Sequence, residues 1–255
     1  MRLRTPLIIL GAATAGAVLA YKTRIEPWWR SWGVEPDEAV RPLPGDDIVP
    51  DADITDTRAV TIAAPPSAIW PWLVQMGYGR GGWYSYDAVD MKGTSATAIL
   101  PEHQELAVGD LLPTHPDGGF VVRAVEAEHA LVVSIDPDTI RAQTEEARAR
   151  AEALAGGEDV GEGTPANLKA AGALLESTTS PDFCASWAFV LEPLDAGRTR
   201  LIERFRVSMD QDATGVRLGA PMLGFGVFLM VRRQLLGIRD RVERAEGSPE
   251  PVASA

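Results

Sequence analysis

Residues 183–207, FCASWAFVLEPLDAGRTRLIERFRV, carry the two clearest strand patterns in the chain. Alternating side chains predict strands over Phe183–Leu191 and Thr199–Val207, and Asp195-Ala196-Gly197 between them predicts a hairpin turn. Successive side chains of a strand point to opposite faces, so one face is apolar and the other carries most of the arginines. The apolar face holds Phe183, Ala185, Trp187, Phe189, Leu191, Leu201, Phe205 and Val207, with Glu203 among them.

The hairpin leads into a predicted long helix at residues 215–245. Its first half is almost wholly apolar, but the apolar stretch LGAPMLGFGVFLMV is too short to span a bilayer comfortably. Its second half is amphipathic. Upstream of the hairpin, the sequence predicts a strand at Arg58–Ala63, a helix opened by Pro65 and Pro66, and a short helix at Tyr86–Met91. Further strands are predicted at Asp110–Thr114, Phe120–Glu126 and Leu131–Ile135. This order of elements predicts an α+β fold.

Several segments resemble the SRPBCC superfamily, which includes START lipid-transfer domains, polyketide cyclases and pollen-allergen-like proteins. They are TIAAPPSAIWPWLVQMGYGRGGWYSYD (61–87), WAFVLEPLDAGRTRLIERFR (187–206), PEHQELAVGD (101–110) and the ending RRQLLGIRDRVERA. The resemblance implies a START-like helix-grip domain over residues 57–245, a curved antiparallel sheet wrapped around the long C-terminal helix. The stretch WWRSWGVEPDEAVRPLPGD (28–46) is similar to a membrane-anchored bacterial branch of uncharacterised members.

The N-terminal residues 1–24 contain an uncharged run from Thr5 to Tyr21. It lies at the short end of the ~17–25 residues that span a bilayer. The basic and aromatic residues that follow, including Trp28, Trp29 and Trp32, are typical of a membrane interface. We therefore expect a single-pass transmembrane helix in the cell membrane. A secretory signal peptide cleaved after Ala20 and a buried core helix are the alternatives, and the side of the globular domain stays open.

Three further segments are predicted to lie outside the core. Residues 25–56 are rich in aromatic, Pro and acidic residues and predict an extended linker. Residues 136–181 predict an acidic surface insertion, partly helical and partly disordered. Residues 246–255 predict a disordered tail.

Composition excludes several classes of function. The formal net charge of −12 is unsuited to nucleic-acid binding, which needs a basic surface. A single cysteine excludes an intramolecular disulfide, and the three scattered histidines lack metal-ligand spacing. We expect no metal and no cofactor. The glycines of the 77–82 loop do not follow a strand that opens a helix, so they are not a nucleotide-binding motif.

The candidate ligand site is the apolar inner face of the sheet with the adjoining helix and loop. Aromatic side chains can present an apolar face and one polar group to a ligand. Its predicted members are Trp70, Leu73, Met76, Trp83, Tyr84, Tyr86, Trp187, Phe189, Leu201, Glu203 and Phe205. An alternative is that the loop aromatics only pack the end of the sheet.

Glu203 is the unusual member of this set, because a buried carboxylate must be paired, hydrated or neutral. It is a candidate ligand anchor or acid-base group with a raised pKa. A bulge, or a pair with an arginine, would equally explain it. Tyr84 is a weaker catalytic candidate, and Glu102 with His103 a third.

Three functions fit these observations. The first is a membrane-tethered binding protein for a lipid, isoprenoid or polyketide-like molecule. The second is a cyclase-like enzyme in which Glu203 or Tyr84 acts on a polyketide-like substrate. The third is a structural or partner-binding membrane protein with a filled core.

Overall fold

The computed structural model describes Gly16 and residues 19–90, 93–155, 183–209 and 214–247. Within these residues the strands are β1 (Ile54–Ile62), β2 (Leu111–His115), β3 (Gly118–Glu126), β4 (Ala130–Ile135), β5 (Cys184–Asp195) and β6 (Arg198–Ser208). The helices are α1 (Glu26–Arg30), α2 (Pro66–Val74), α3 (Asp87–Asp90), α4 (Pro137–Ala155) and α5 (Thr214–Glu246). A π-helical turn at Tyr21–Ile25 leads into α1.

The strands form one antiparallel sheet in the order β1-β6-β5-β4-β3-β2. From β2 to β6, each strand pairs with its neighbour along the chain, while β1 returns to pair with the last strand, β6. With α5 following β6, this is the arrangement of the helix-grip fold. The predicted α+β class and the predicted β5–β6 hairpin are confirmed.

The inner face of the sheet packs against α2 and α5. In α5 the buried side chains Val231, Leu235, Ile238 and Val242 recur at three- and four-residue spacing, which places them on one side of the helix. They join Val60, Phe189 and Leu201 of the sheet in one hydrophobic cluster. This cluster is the main core, and it determines which sheet face is the inner one.

The outer face is covered by residues 33–50, which had been predicted as part of an extended linker. The segment has turns and a short 3-10 helix at Asp46–Ile48, and its Leu43 packs against Ala59, Val132 and Ile202. The backbone approaches the sheet so closely at Gly45 (φ 86°) that a Cβ there would lie 2.5 Å from a Val132 methyl group. Residues 33–50 therefore form a packed layer of the fold.

Arginines of β6 attach this layer to the sheet. Arg200 donates to Glu38 at 2.7 Å, and Arg204 donates to Asp46 at 2.7 Å and to the Glu38 carbonyl at 2.6 Å. The basic outer face predicted from the alternation of β6 is present. Its buried members are neutralised within the chain, since acidic residues of the 33–50 segment lie opposite them.

Trp29 in α1 corrects an expectation about the N-terminal tryptophans. Its side chain was expected at the level of lipid headgroups, but it is fully buried. Its ring lies 6.4 Å from Phe225 and 6.2 Å from Phe228 of α5. The apolar first half of α5 provides this packing surface, so α1 is part of the folded domain.

The predicted insertion begins with α4. The side of this helix that carries Gln143 contacts β3. Gln143 accepts from the Gly119 amide at 3.1 Å and donates to the Gly119 carbonyl at 3.0 Å. Residues 156–181 of the insertion, and 248–255 of the predicted tail, lie outside the described residues.

Most of the predicted transmembrane run also lies outside the described residues. Among the helices that the structure does describe, we find none with the length and apolar character needed to cross a bilayer.

Candidate functional site

Three charged side chains lie on the apolar inner face at the junction of β1 and β6. The register places Arg58 opposite Glu203 and Asp56 opposite Phe205. Asp56 and Arg58 share the strand parity of Val60 and Ile62, which belong to the inner core. Arg58 and Glu203 have no exposed surface, and Asp56 is 4% exposed. The fold therefore buries a cluster of charges where parity alone would suggest apolar packing.

The Glu203 carboxyl group lies between two hydrogen-bond donors. The Trp187 indole N–H donates to Oε1 at 2.7 Å, and Arg58 Nη1 donates to Oε2 at 3.3 Å. Trp187 comes from β5 and Arg58 from β1, on either side of β6. Three neighbouring strands thus hold the carboxyl group in place.

Arg58 also connects the inner face to the N-terminal helix. Its Nη2 donates to Asp56 at 2.8 Å, and its Nε donates to the Trp29 carbonyl at 3.3 Å. Arg30 in turn donates to Asp56 and to Glu26, each at 2.8 Å. A continuous series of ion pairs runs from Glu203 in the interior to α1 at the surface.

Burial raises the pKa of Glu203 to about 7. Loss of hydration is the largest cause, because it disfavours the ionised form. The Arg58 charge lowers the pKa, the Asp56 charge raises it, and the hydrogen bonds from Trp187 and Arg58 lower it. Glu203 is therefore able to gain or lose a proton near neutral pH.

Aromatic side chains from four parts of the chain surround Trp187. The Trp83 ring stacks on it at 5.4 Å, with Phe189 at 4.9 Å, Phe120 at 5.8 Å and Phe205 at 6.0 Å. Phe120, Trp187 and Phe205 are only partly buried. These partly exposed aromatic residues include Trp187, whose indole N–H is bonded to the buried Glu203 carboxyl group.

Comparisons with known proteins give distant structural likenesses, with 47 chains of solved structures matching significantly. No protein-family model matches the sequence, and no curated protein matches it significantly. A solution structure of a protein from Arthrobacter aurescens is 14% identical, with a TM-score of 0.37, over 85% of this chain and 99% of that chain. The Zhui aromatase/cyclase from Streptomyces sp. R1128 is 13% identical, with a TM-score of 0.31, over 76% and 95%.

A third structure, a polyketide-cyclase-like protein from Corynebacterium glutamicum, is 15% identical, with a TM-score of 0.28, over 78% of this chain and 97% of that chain. Overlaps this low in identity and TM-score carry no information about ligand or reaction. The chemistry of this chain has to be derived from its own side chains.

The predicted site residues fall into three groups by burial. Leu73, Met76, Phe189, Leu201 and Trp83 are buried in the inner core. Trp70, Trp187 and Phe205 are partly buried, and Tyr86 is 46% exposed. The first group supports the shape of the inner face. Of these residues, Trp187 and Phe205 combine partial exposure with a place in the aromatic cluster beside Glu203.

Tyr84 packs in the core, and its hydroxyl group is used in a structural hydrogen bond. It is buried, and its hydroxyl group donates to the Trp72 carbonyl at 3.1 Å. Burial raises its pKa to about 12. Tyr84 has φ 57°, and its backbone N–H donates to the Ser95 hydroxyl at 3.0 Å. A proton committed to a backbone carbonyl is poorly suited to acid-base chemistry.

The predicted Glu102 and His103 pair lies in the 3-10 turn Pro101–His103. Glu102 is exposed, and His103 provides its backbone carbonyl to Arg80, which donates at 3.1 Å. Arg80 also binds the carbonyls of Val74 and Met76 at the end of α2. This arrangement fixes the loop after α2 through its backbone.

Asp56, Arg58 and Trp29 were missed by the sequence analysis. A signal for two of them existed, because Asp56 and Arg58 alternate with outer-face residues in the same parity as Val60 and Ile62. The predicted strand begins at Arg58 and therefore does not include Asp56. Trp29 had no such local signal.

Among the described residues, there is no group of three or more His, Cys, Asp or Glu placed to hold a metal ion.

Proposed function

We propose that this chain is a membrane-tethered binding protein for an apolar small molecule with one polar group, such as a lipid, an isoprenoid or a polyketide-like compound. The molecule lies against Phe120, Trp187 and Phe205 on the inner face. Because the Glu203 carboxyl group has no exposed surface, the polar group of the molecule reaches it by displacing the Trp187 indole N–H from Oε1.

The buried Arg58–Glu203 pair beside accessible aromatic rings is the observation that carries this proposal. Well-packed apolar residues of similar volume are often as stabilising as a buried ion pair. A filled core therefore gains little from two such charges. A binding site gains an oriented polar group in surroundings of low dielectric constant, where a hydrogen bond to a ligand is strong.

The raised pKa of Glu203 defines the complementary ligand chemistry. With its pKa raised to about 7, the carboxyl group is able to accept from a hydroxyl group when ionised or donate to a carbonyl group when protonated. The surrounding rings favour a flat or apolar body. The ligand class is therefore an uncharged, largely hydrocarbon molecule with a hydroxyl or carbonyl group.

The membrane tether is the second part of the proposal, and it rests on the uncharged run Thr5–Tyr21. If this run crosses the bilayer, the full chain stays with membranes through an alkaline carbonate wash. Release by the wash, or a mature N-terminus near Tyr21, would contradict the tether and favour a cleaved signal peptide.

The pKa of Glu203 also favours a second candidate, a cyclase-like enzyme. A general acid or base works best when its pKa is near the working pH. Glu203 would then be the catalytic residue, with Tyr84 supporting the loop. Conversion of the bound molecule to a product of different structure, abolished in Glu203→Gln, would favour the enzyme over the binding protein.

Native mass spectrometry of the full chain, purified in detergent from its own host, tests the binding function. We expect an adduct whose mass corresponds to an apolar small molecule. A spectrum with the mass of the chain alone, from a sample that retains its fold, would contradict binding and favour the third function, a structural protein with a filled core.

A further inference from the structure

Apolar side chains remain exposed where α1 packs against the first half of α5. Ile25 is 47% exposed, Trp28 56%, Phe225 37% and Leu229 41%. We call these four residues the apolar face. Ile25 ends the π-helical turn and lies three residues before Trp28 of α1, and Phe225 and Leu229 of α5 are four apart, so each pair lies on one side of its helical segment.

Buried Phe228 connects the two halves of the apolar face. Its ring lies 5.5 Å from Trp28 and 5.7 Å from Phe225. Trp29, one residue after Trp28, is also packed against both phenylalanines. The face is thus supported by core packing and is a fixed feature of the domain surface.

The charges around the apolar face are mostly positive, although the whole chain has a net charge of −12. Lys22 and Arg24 precede Ile25 in the helical segment, and exposed Arg232 and Arg233 follow Leu229. The nearby acidic residue Glu26 is 8% exposed and is paired with Arg30 and Lys22. A basic border around an apolar surface is complementary to anionic lipid headgroups.

The position of the face in the chain also favours a membrane. The uncharged run that we propose as the tether ends at Tyr21, and Trp28 follows only seven residues later in helical conformation. Seven helical residues extend about 10 Å, slightly more than the headgroup layer of ~5–8 Å on one side of a bilayer. Trp28 therefore cannot lie far from the lipid surface if Tyr21 lies in it.

We infer that the apolar face rests on the lipid bilayer and docks the domain against it, with Trp28 and Phe225 inserted among the headgroups. This inference rests on the proposed tether. It adds a defined orientation, in which the apolar face is turned toward the bilayer. Through Trp29 and Arg30, α1 also contacts Arg58 and Asp56 of the candidate site.

Photo-crosslinking of the full chain in vesicles of phosphatidylethanolamine and phosphatidylglycerol tests the docking. Benzoylphenylalanine replaces Trp28 in one variant and Leu194 in a matched control. Leu194 is 52% exposed near the β5–β6 turn, away from the apolar face. We expect several-fold more lipid adduct from position 28 than from position 194. A third variant at Leu229 repeats the test should the Trp28 variant lose its fold.

Equal lipid adduct from the two positions would overturn the docking. So would crosslinks from position 28 to a second copy of the chain or to residues 5–18, because another occupant would then cover the face. The same samples are pelleted after a carbonate wash. A chain that stays in the pellet without the position-28 lipid adduct loses the docking but keeps the tether, whereas release from the pellet contradicts both.

Discussion

Glu203 and Glu38 are two buried carboxylates that face arginines on opposite sides of the same sheet. Glu203 is fully buried, and its pKa is raised to about 7. Burial would also raise the pKa of Glu38, but hydrogen bonds from Arg200 and the Glu35 amide, with the charges of Arg200 and Arg41, outweigh it and lower the pKa. The two pKa values shift in opposite directions because Glu203 loses its hydration completely and shares Arg58 with Asp56, whereas Glu38 lies nearer the surface.

The shifted pKa of Glu203 predicts a pH-dependent difference between wild type and Glu203→Gln. The folded state keeps the proton up to about pH 7, while the unfolded carboxyl group ionises near pH 4.5. The contribution of Glu203 to stability is therefore complete below about pH 4.5 and is lost as the pH rises toward 7. Relative to Glu203→Gln, wild type should lose on the order of 3 kcal/mol of unfolding free energy across this window.

Urea unfolding at a series of pH values measures this difference, and Glu38→Gln is the matched control. A lowered folded-state pKa stabilises at higher pH, so wild type should instead lose stability relative to Glu38→Gln as the pH falls through the Glu38 pKa. If the unfolding free energies of wild type and Glu203→Gln change in parallel with pH, the pKa of Glu203 is not raised by folding, and its carboxyl group is hydrated in solution.

At this scale, local pattern predicted the position of Glu203 and allowed for an arginine partner without identifying it. The alternation of Leu201, Glu203 and Phe205 was enough to place the carboxyl group on the inner face. The register that sets Arg58 opposite Glu203 joins strands 145 residues apart. A single sequence contains no local signal for such a pairing.

Among the elements, the 33–50 segment depends on the arginines of β6. Arg204 is 3% exposed and donates to Thr57, Asp46 and two backbone carbonyls. Lysine cannot reproduce this planar set of donors. Arg204→Lys should therefore lower the free energy of unfolding by about 2–4 kcal/mol.

Arg198→Lys provides the control on the same strand, since Arg198 is exposed and pairs with Asp195 at the surface. Its effect in urea unfolding should stay within about 0.5 kcal/mol. Similar losses for the two variants would mean that the 33–50 segment does not depend on its arginine contacts.

Helix α4 is attached to β3 by two hydrogen bonds of Gln143 and to the β2–β3 turn by an ion pair between Arg150 and Asp117. Gln143→Ala removes both hydrogen bonds to Gly119 and should cost about 1 kcal/mol, whereas Glu145→Ala on the exposed side should cost less than about 0.5 kcal/mol. Replacement of residues 138–180 by a short Gly/Ser linker should cost no more than about 1–2 kcal/mol. A chain that fails to fold without the segment would show that it belongs to the core.

The elements themselves were largely predictable, because strong alternation and helical periodicity are local properties. β5, β6 and α5 differ from their predicted limits by only a few residues at each end. The packing of residues 33–50 was not predictable in the same way. Their proline- and acid-rich composition is typical of linkers, and their partners are arginines more than 150 residues away.

For the whole molecule, the main difference from expectation is that the domain begins before residue 57. α1 buries Trp29 against α5, and its Arg30 pairs with Asp56. A chain shortened to begin at Val34 would lose both contacts and expose Phe228. The boundary was misplaced because aromatic and basic residues after an apolar run are also typical of a membrane interface.

Ligand retention in matched carboxylate variants tests the binding function most directly. Wild type, Glu203→Gln and Glu38→Gln are purified from the native host and compared by native mass spectrometry at one pH near 7. We predict that wild type and Glu38→Gln carry the same small molecule at similar occupancy, and that Glu203→Gln carries clearly less while remaining folded. Equal occupancy in the two variants, or no bound molecule in any of the three proteins, would contradict a ligand site at Glu203.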